Sequence, residues 1–388
     1  MPMSNPVSSA TTVEIKAVST PDDQQQFLDV PYRVYREDPY WVAPLRSSEA
    51  KQLANDNPFL NYGALQAFIA LDQGIPVGRV VASVNQRLIE REGYAVGLFG
   101  FFECVNDGAI AQALLDAASD WLVQQGMTHV RGPIDLSTHN SCLFLVDGFD
   151  SSPMLMMPYN PPYYPKFMEA GGWEKARDAY AYLLDLTKDL DPKYEKGYRI
   201  ACKAGVTFRN LHTKGDAFWA DVDSMYDLFN QTFSENFSST PRTLEEFREE
   251  AKDLQSLVDA DIFWIAEYEG EMVGFFMALP DYNIALKRVN GRLNIWGILK
   301  FLWYRRQINQ GRVLVICALP EHRRRMVPLG LIYLGMTSGT QKNKPYKQAE
   351  LGYIYEDNMP SRHVTAATGA QIYKTYRIYE KSLTVELL

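Results

Sequence analysis

Cysteine is scarce: Cys104, Cys142, Cys202 and Cys317 are the only four in 388 residues, and none stands in CxxC spacing. The five histidines do not join them in a ligand pattern, so neither a disulfide framework nor a zinc knot is expected. Positive charge is also short, with 39 Lys and Arg against 47 Asp and Glu, a net charge of -8. Counterion release on nucleic acid needs a broad basic face that this balance does not provide, so any anionic ligand must be held by a local cluster. Long apolar runs are absent too. The strongest, Ile295 to Tyr304, is far short of the roughly 20 residues that span a bilayer. Met1 to Thr12 lacks the basic-then-apolar order of a signal peptide and reads as a frayed tail, so a reduced, metal-free, cytoplasmic chain is expected. What is there, 46% hydrophobic and 13% aromatic residues, is globular, and the length suits two domains of about 150 to 200 residues each.

The sequence carries an internal echo. Phe68-Ile69-Ala70, Gly74 and Val77-Gly78 recur as Trp264-Ile265-Ala266, Gly270 and Val273-Gly274. Asn160 and Gly171 are spaced as Asn358 and Gly369 are, and an insertion of two residues reconciles the two offsets. Strand and helix signals also run in the same order in both halves. The first reads as strand 13–18, helix 22–36, a hairpin over 65–84 turned at Gln73-Gly74, strand 94–105, helix 109–125, strand 129–134, a long loop, helix 161–170 and strand 176–186. The second reads as strand 206–211, helix 217–233, hairpin 262–279, an insertion, strand 313–319, helix 328–342, strand 348–356, helix 359–368 and strand 371–379. This order predicts an α/β (α+β) chain of two similar domains, 13–187 and 201–388, each a mixed, largely antiparallel sheet flanked by helices. Polar residues 188–200 are the expected linker.

Chemistry concentrates after strand 313–319. Pro320-Glu321-His322-Arg323-Arg324-Arg325 is a basic turn before a helix that opens near Pro328, and a helix N-terminus beside arginines is suited to phosphate; the alternative is a solvated arginine run. In the following strand, alternation puts Glu350 and Glu356 on one face, where a carboxylate can take a proton from an amine, or where both are simply solvated on an edge strand. The long loop of the first half offers Ser137, His139, Asn140, Asn160, Tyr163 and Tyr164 as groups for a polar acceptor, or serves only as a brace. In the insertion, expected over 285–308, a helix would carry Ile295, Ile298, Leu299 and Leu302 on one face with Trp296 and Trp303 flanking. Trp296, Leu299 and Trp303 beside Lys300, Arg305 and Arg306 suit a helix lying in a lipid headgroup layer, the alternative being burial at an interface.

The order hairpin, strand, basic turn, helix, strand, Asn, helix, Gly, strand resembles the GNAT acyltransferases, whose Arg/Gln-x-x-Gly-x-Gly/Ala turn wraps the pyrophosphate of coenzyme A. Here that turn reads Arg323-Arg324-Arg325-Met326-Val327-Pro328, with both small positions replaced. The resemblance implies an acyl-CoA held by Leu319, Arg323, Arg324, Arg325, Val327 and Leu329, and amide formation served by Glu356 or Glu350 with Asn358 and Tyr355. The equivalent turn in the first half, Asn106-Asp107-Gly108, has no cation. The tyrosine that often protonates the thiolate in GNAT enzymes is Thr365 in the second half and Phe167 in the first. The phrases Pro39-Tyr40-Trp41-Val42-Ala43-Pro44-Leu45, Arg131-Gly132-Pro133, Asp147-Gly148-Phe149 and Tyr159-Asn160-Pro161-Pro162-Tyr163-Tyr164 look like a bacterial double-GNAT family similar to the ceramide synthases. That implies transfer of a fatty acyl group to the amine of a long-chain lipid, with no metal, no nucleic acid, and peripheral contact with the inner membrane. N-acylation of a small soluble amine, or acyl-CoA binding without turnover, are the competing expectations.

Overall fold

The computed structural model describes residues 13–233, 236–341 and 346–383. The expected tail at 1–12 lies outside the described residues, as does the expected helix end at Lys342.

The first half contains β1 (Glu14–Ala17), α1 (Pro21–Val34), α2 (Arg46–Gln52), β2 (Gly63–Asp72), β3 (Ile75–Asn85), α3 (Gln86–Glu92), β4 (Val96–Cys104), α4 (Gly108–Gln124), β5 (His129–Gly132), β6 (Phe144–Asp147), α5 (Tyr164–Ala170) and β7 (Glu174–Asp185). The second contains α6 (Pro192–Lys203), β8 (Val206–Asn210), α7 (Gly215–Phe233), α8 (Leu244–Gln255), β9 (Trp264–Tyr268), β10 (Glu271–Pro280), α9 (Asn283–Leu286), α10 (Ile295–Tyr304), β11 (Gln310–Ala318), α11 (Val327–Gly339), β12 (Gln348–Tyr355), α12 (Met359–Ala366) and β13 (Gln371–Ser382). Local chemistry explains these boundaries. Thr20 and Asp23 cap α1 reciprocally, and the β2–β3 turn places Gln73 and Gly74 at φ of 50° and 79°, the two left-handed positions of a tight hairpin.

All the described strands form one sheet, in the order β1-β2-β3-β4-β5-β13-β7-β12-β11-β10-β9-β8, with β6 pairing β13 to the side. The duplication is plain in it: β7 and β13 start at 174 and 371 and end at 185 and 382, a shift of 197 at both ends. Yet the last strands are exchanged. β13 lies against β5 of the first half, β7 lies against β12 of the second, and the two pair with each other. Two units at 13–187 and 201–388 stay our proposal for what was duplicated, but each borrows a strand from the other.

Two sequence expectations change. The two-residue insertion is instead the sum of two large, opposite ones: β10 starts 196 residues after β3 (271 against 75), β11 starts 214 after β4 (310 against 96), and α12 starts 195 after α5 (359 against 164). The second half gained α9 and α10, and the first gained the long 133–163 loop. Secondly, the polar linker holds α6. Asp191 caps it and Pro192 opens it, while Tyr194, Gly197 and Ala201 bury one face; a Cβ on Gly197 would meet Leu329 of α11 at 2.6 Å.

Six buried clusters pack against the sheet, four of which bear on the site. Two are the separate cores of the halves, one around Leu114, Phe99 and Tyr164 and one around Leu331, Phe276 and Ala349. A third belongs to both, joining Leu98 and Leu145 to Tyr355, Tyr376 and Ile378. A fourth brings Leu155 of the long loop against Leu279 and Tyr282.

Candidate active site

In the second half β11 and β12 run parallel and pair only from Gln310 with Gln348 to Val313 with Leu351. Beyond that point they part. β12 bulges, its register with β7 stepping from Leu351 opposite Tyr182 to Ile354 opposite Tyr180, and Gly352 takes φ +137°, a conformation open essentially to glycine. Arg312 holds the apex: buried, it donates to Gly352 O at 2.8 and 3.2 Å and to Leu155 O at 2.9 Å. The cleft so opened has Leu314, Val315 and Ile316 half-buried on one wall and Gly352, Tyr353 and Ile354 on the other. Among the described residues no strand pairs with that edge of β11, so its amides are free to bind an extended ligand.

At the mouth of this cleft the turn Pro320–Arg325 leads into α11. The N-cap of α11 is Met326, at φ 61° and ψ 23°, and no side chain caps the helix, so its first N–H groups await an acceptor. Arg323 and Arg324 are exposed, with no carboxylate partner among the described residues. Arg325 is turned aside, its guanidinium stacked over Tyr268 at 4.2 Å from the ring centre. Two free cations, an uncapped helix and an open strand edge fit a pyrophosphate with an amide-bearing arm.

The first half shows the same place closed. Asp107 caps α4, accepting from Ala109 N at 2.8 Å and Ile110 N at 3.4 Å, so the groups that would meet a phosphate are already taken by a carboxylate. Its β4–β5 cleft is filled by its own chain: Ile134 N donates to Phe99 O at 2.8 Å, and Phe101 N donates to Asp135 Oδ1 at 2.6 Å. Burial pushes the Asp135 carboxyl up to about 7.

No protein-family model matches the chain. It is 28% identical to Protein YghO of Escherichia coli (strain K12), over 93% of both chains. Among solved structures, a tandem GNAT protein from the clavulanic acid biosynthesis pathway superposes with a TM-score of 0.58 at 14% identity, covering 96% of this chain and 99% of that one. A GCN5-related N-acetyltransferase from Sphaerobacter thermophilus gives 0.53 at 11% identity, with 96% of each covered. The deciding relative is the bacterial ceramide synthase of Caulobacter vibrioides (strain NA1000 / CB15N), 30% identical over 384 residues, 97% of this chain and 99% of that protein. The chain belongs to the bacterial ceramide synthase family.

As a member of that family it is a tandem GNAT acyltransferase, and its candidate residues sort clearly. Glu350 is fully buried beside the apex; the Tyr373 hydroxyl donates to Oε2, and Arg312 Nε lies 3.3 Å from Oε1. Burial raises this carboxyl above the usual carboxylate range, with Arg312 and the Tyr373 hydroxyl pulling the other way. Glu356 is not its neighbour on a common face. The bulge at Gly352–Tyr353 adds a residue to β12 and reverses the alternation, leaving Glu356 half-exposed, bonded to Lys175 Nζ at 2.8 Å and Asp178 N at 3.2 Å. Asn358 caps α12, accepting from Ser361 N at 3.2 Å. Tyr355 is buried against Tyr353 and Phe237, and its hydroxyl has no partner.

The long-loop candidates divide the same way. Asn160 is buried, bonding Leu145 N, Leu145 O and Pro161 O in place of a missing strand. The Tyr163 and Tyr164 hydroxyls bond Cys104 O, and Tyr164 also donates to Glu103 at 2.7 Å. These three brace the first half, Asn160 and Tyr164 from buried positions and Tyr163 from a half-buried one. Asn140, exposed, donates to Asp135 O at 2.8 Å, and Ser137 Oγ accepts from His139 N at 3.3 Å. His139 meets Thr240 O at 2.9 Å and lines a cavity of about 490 Å³ between the halves, with Phe229, Phe233, Thr240 and Arg242. From sequence Tyr373 is only one of several substitutes for the missing thiolate acid, with no link to Glu350, and Arg312 has no signal at all; Arg312 stands opposite Glu350 in the β11–β12 ladder, while Tyr373 reaches it across the exchanged strand β7. The insertion helix forms as expected with one face bare, Ile295, Trp296, Leu299 and Trp303 being 77%, 74%, 54% and 64% exposed. No described helix is long and apolar enough to cross a membrane.

Proposed function

We propose that this acyltransferase takes its acyl group from acyl-CoA bound in the β11–β12 cleft and transfers it to the amine of a long-chain, sphingoid-type lipid. The observation that carries the donor assignment is the asymmetry of the two clefts: one open with uncapped N–H groups and free arginines, the other filled by Asp107 and Asp135. Leu319, Arg323, Arg324, Val327 and Leu329 would hold the pyrophosphate. The donor supplies the thioester carbonyl. Glu350, raised by burial and tied to the half-buried Tyr373, suits proton removal from the amine: Tyr373 Oη receives the amine proton as it passes its own to Glu350. The C–N bond forms, the C–S bond breaks, and a thiol near pKa 8.5 can leave as thiolate without a dedicated acid. A lipid acceptor is supported by the name of the Caulobacter relative and by the apolar face of α10, which we propose contacts a membrane periphery through Trp296, Leu299 and Trp303. The test is release of free CoA thiol from acyl-CoAs of varied chain length, with sphinganine, with small amines and with neither. Acceptor-dependent release only with sphinganine is expected; release only with small amines would replace the lipid acceptor, and none at all would defeat the enzyme reading. R323A/R324A should raise the KM for acyl-CoA at least tenfold, as each charge-assisted phosphate contact is worth about 1.5–3 kcal/mol.

A further inference from the structure

The insertion that carries α10 docks on the first half and encloses a second cavity there. Its polypeptide turns at Gly291, φ +74°, where Arg46 N donates to Gly291 O at 3.3 Å, and a side chain at 291 would collide with the Tyr32 hydroxyl. The cavity, about 490 Å³, is lined by Tyr32, Arg46, Asn290, Arg292, Trp296 and Lys300, and no carboxylate is in its wall. Arg46 sits 4.0 Å over the Tyr32 ring and is ion-paired to Asp29 just outside. Arg292 and Lys300 are exposed, and no carboxylate pairs with either among the described residues. Two uncompensated cations therefore face one cavity in a chain of net charge -8. Trp296 belongs both to this wall and to the bare apolar face of α10, so an occupant must present an anionic head and hydrocarbon side by side.

We infer that this cavity receives the phosphate-bearing headgroup of an anionic phospholipid while Trp296, Leu299 and Trp303 enter the adjoining acyl layer. The inference rests on the reading of this chain as an enzyme that works at a membrane. It names which lipid is held and by what. A neutral surface would satisfy the tryptophans but leave Arg292 and Lys300 without partners, whereas a soluble phosphate would satisfy the cations and leave the apolar face in water. An anionic phospholipid satisfies both.

The test is partition of the full chain onto phosphatidylcholine vesicles with and without phosphatidylglycerol, for the native protein, R292A/K300A and W296A/W303A. The native chain should prefer the anionic vesicles. Each cation near an anionic surface contributes about fivefold, so R292A/K300A should lose roughly 25-fold of that affinity and keep its weak affinity for phosphatidylcholine. W296A/W303A should lose binding to both. Native-like binding of R292A/K300A to anionic vesicles would overturn the site, and displacement by millimolar-range glycerol phosphate would identify a soluble anion instead. Thiol release from acyl-CoA with detergent-dispersed sphinganine, measured without vesicles, separates this from the functional reading: lost partition with intact turnover counts against the headgroup site alone, and intact partition with no turnover counts against the enzyme.

Discussion

Replacing Tyr373 by Phe removes the hydroxyl that donates to the buried carboxylate we assign as base. The Tyr373 hydroxyl is the hydrogen-bond donor to Glu350 Oε2, and Oε1 has only the oblique guanidinium of Arg312 at 3.3 Å, whose N–H groups are aimed at Gly352 O. A hydrogen bond to a charged group contributes about 1.5–3 kcal/mol, and burial leaves no water to replace it. The ionised form of Glu350 should therefore become harder to reach, moving the acid limb of kcat/KM upward by about one to two pH units. The sign follows from the base being active when ionised: burial already raises this carboxyl, and losing the donor raises it further. Loss of the proton path should also lower kcat/KM on the plateau by about 10²–10⁴-fold. The assay is initial rate against pH, with Y376F as control, because the Tyr376 hydroxyl is buried without a partner and its removal should cost nothing. An unchanged plateau and acid limb in Y373F would refute the Tyr373–Glu350 route. Y355F extends the comparison, since its hydroxyl also lacks a partner within the protein; an intact fold with reduced kcat would mean that it touches substrate.

Other consequences are simpler to measure. Met326 occupies a left-handed conformation that costs an L-residue about 1–2 kcal/mol, and glycine gives back about 0.5–1 kcal/mol in chain entropy. M326G should thus leave stability within about 1 kcal/mol while M326I, β-branched at positive φ, raises the acyl-CoA KM. His139 is held neutral, burial pushing it down to about 4 against an ordinary 6.5. Its contribution is present above pH 6.5 and is lost as pH falls toward 4, up to roughly 3 kcal/mol, so urea midpoints of H139Q should decline less between those pH values than those of the native chain.

Much of this was legible beforehand because it depends on local chemistry. Turn glycines, the Asp191 cap aside, marked most strands and helices within two residues, and the missing cation at Asp107 distinguished the halves. The errors share one cause. Glu350 and Glu356 read as one face because alternation assumes an unbroken strand, and the bulge at Gly352–Tyr353 is fixed by pairing with β7, some 170 residues earlier in the chain. Asn160, Tyr163 and Tyr164 read as binding groups because polar loop residues do not reveal which of them satisfy buried backbone. Arg312 has no motif, and although Tyr373 is one candidate acid by sequence, nothing there ties it to Glu350; the β11–β12 ladder sets Arg312 opposite Glu350, and the exchange of β7 and β13 brings Tyr373 within reach. The apolar stripe of α10 is legible in sequence, but its exposure is not, because burial against a neighbour fits the same stripe equally well; the fold leaves it bare.

The exchange also explains why a half with a blocked cleft is kept, and it can be tested by cutting the chain. A fragment 188–388 would lack β7, which pairs β12 at six positions from Gln348 to Tyr355 and β13 from Gln371 to Glu380. It would also lack Leu155, whose carbonyl receives Arg312 at the cleft apex. The bulge that opens the cleft is formed against β7, so the fragment has no template for its own active site, and two exposed strand edges invite aggregation. A fragment 1–187 would in turn lack β13, leaving β5 and β7 without the strand between them. Neither is expected to fold alone, whereas co-expression should give a one-to-one complex that releases CoA thiol, because each piece completes the other's sheet. Size-exclusion chromatography and urea unfolding decide the matter: a monomeric, cooperatively unfolding 188–388 with native turnover would mean that the first half contributes nothing the second half needs, and the shared-site argument would fall.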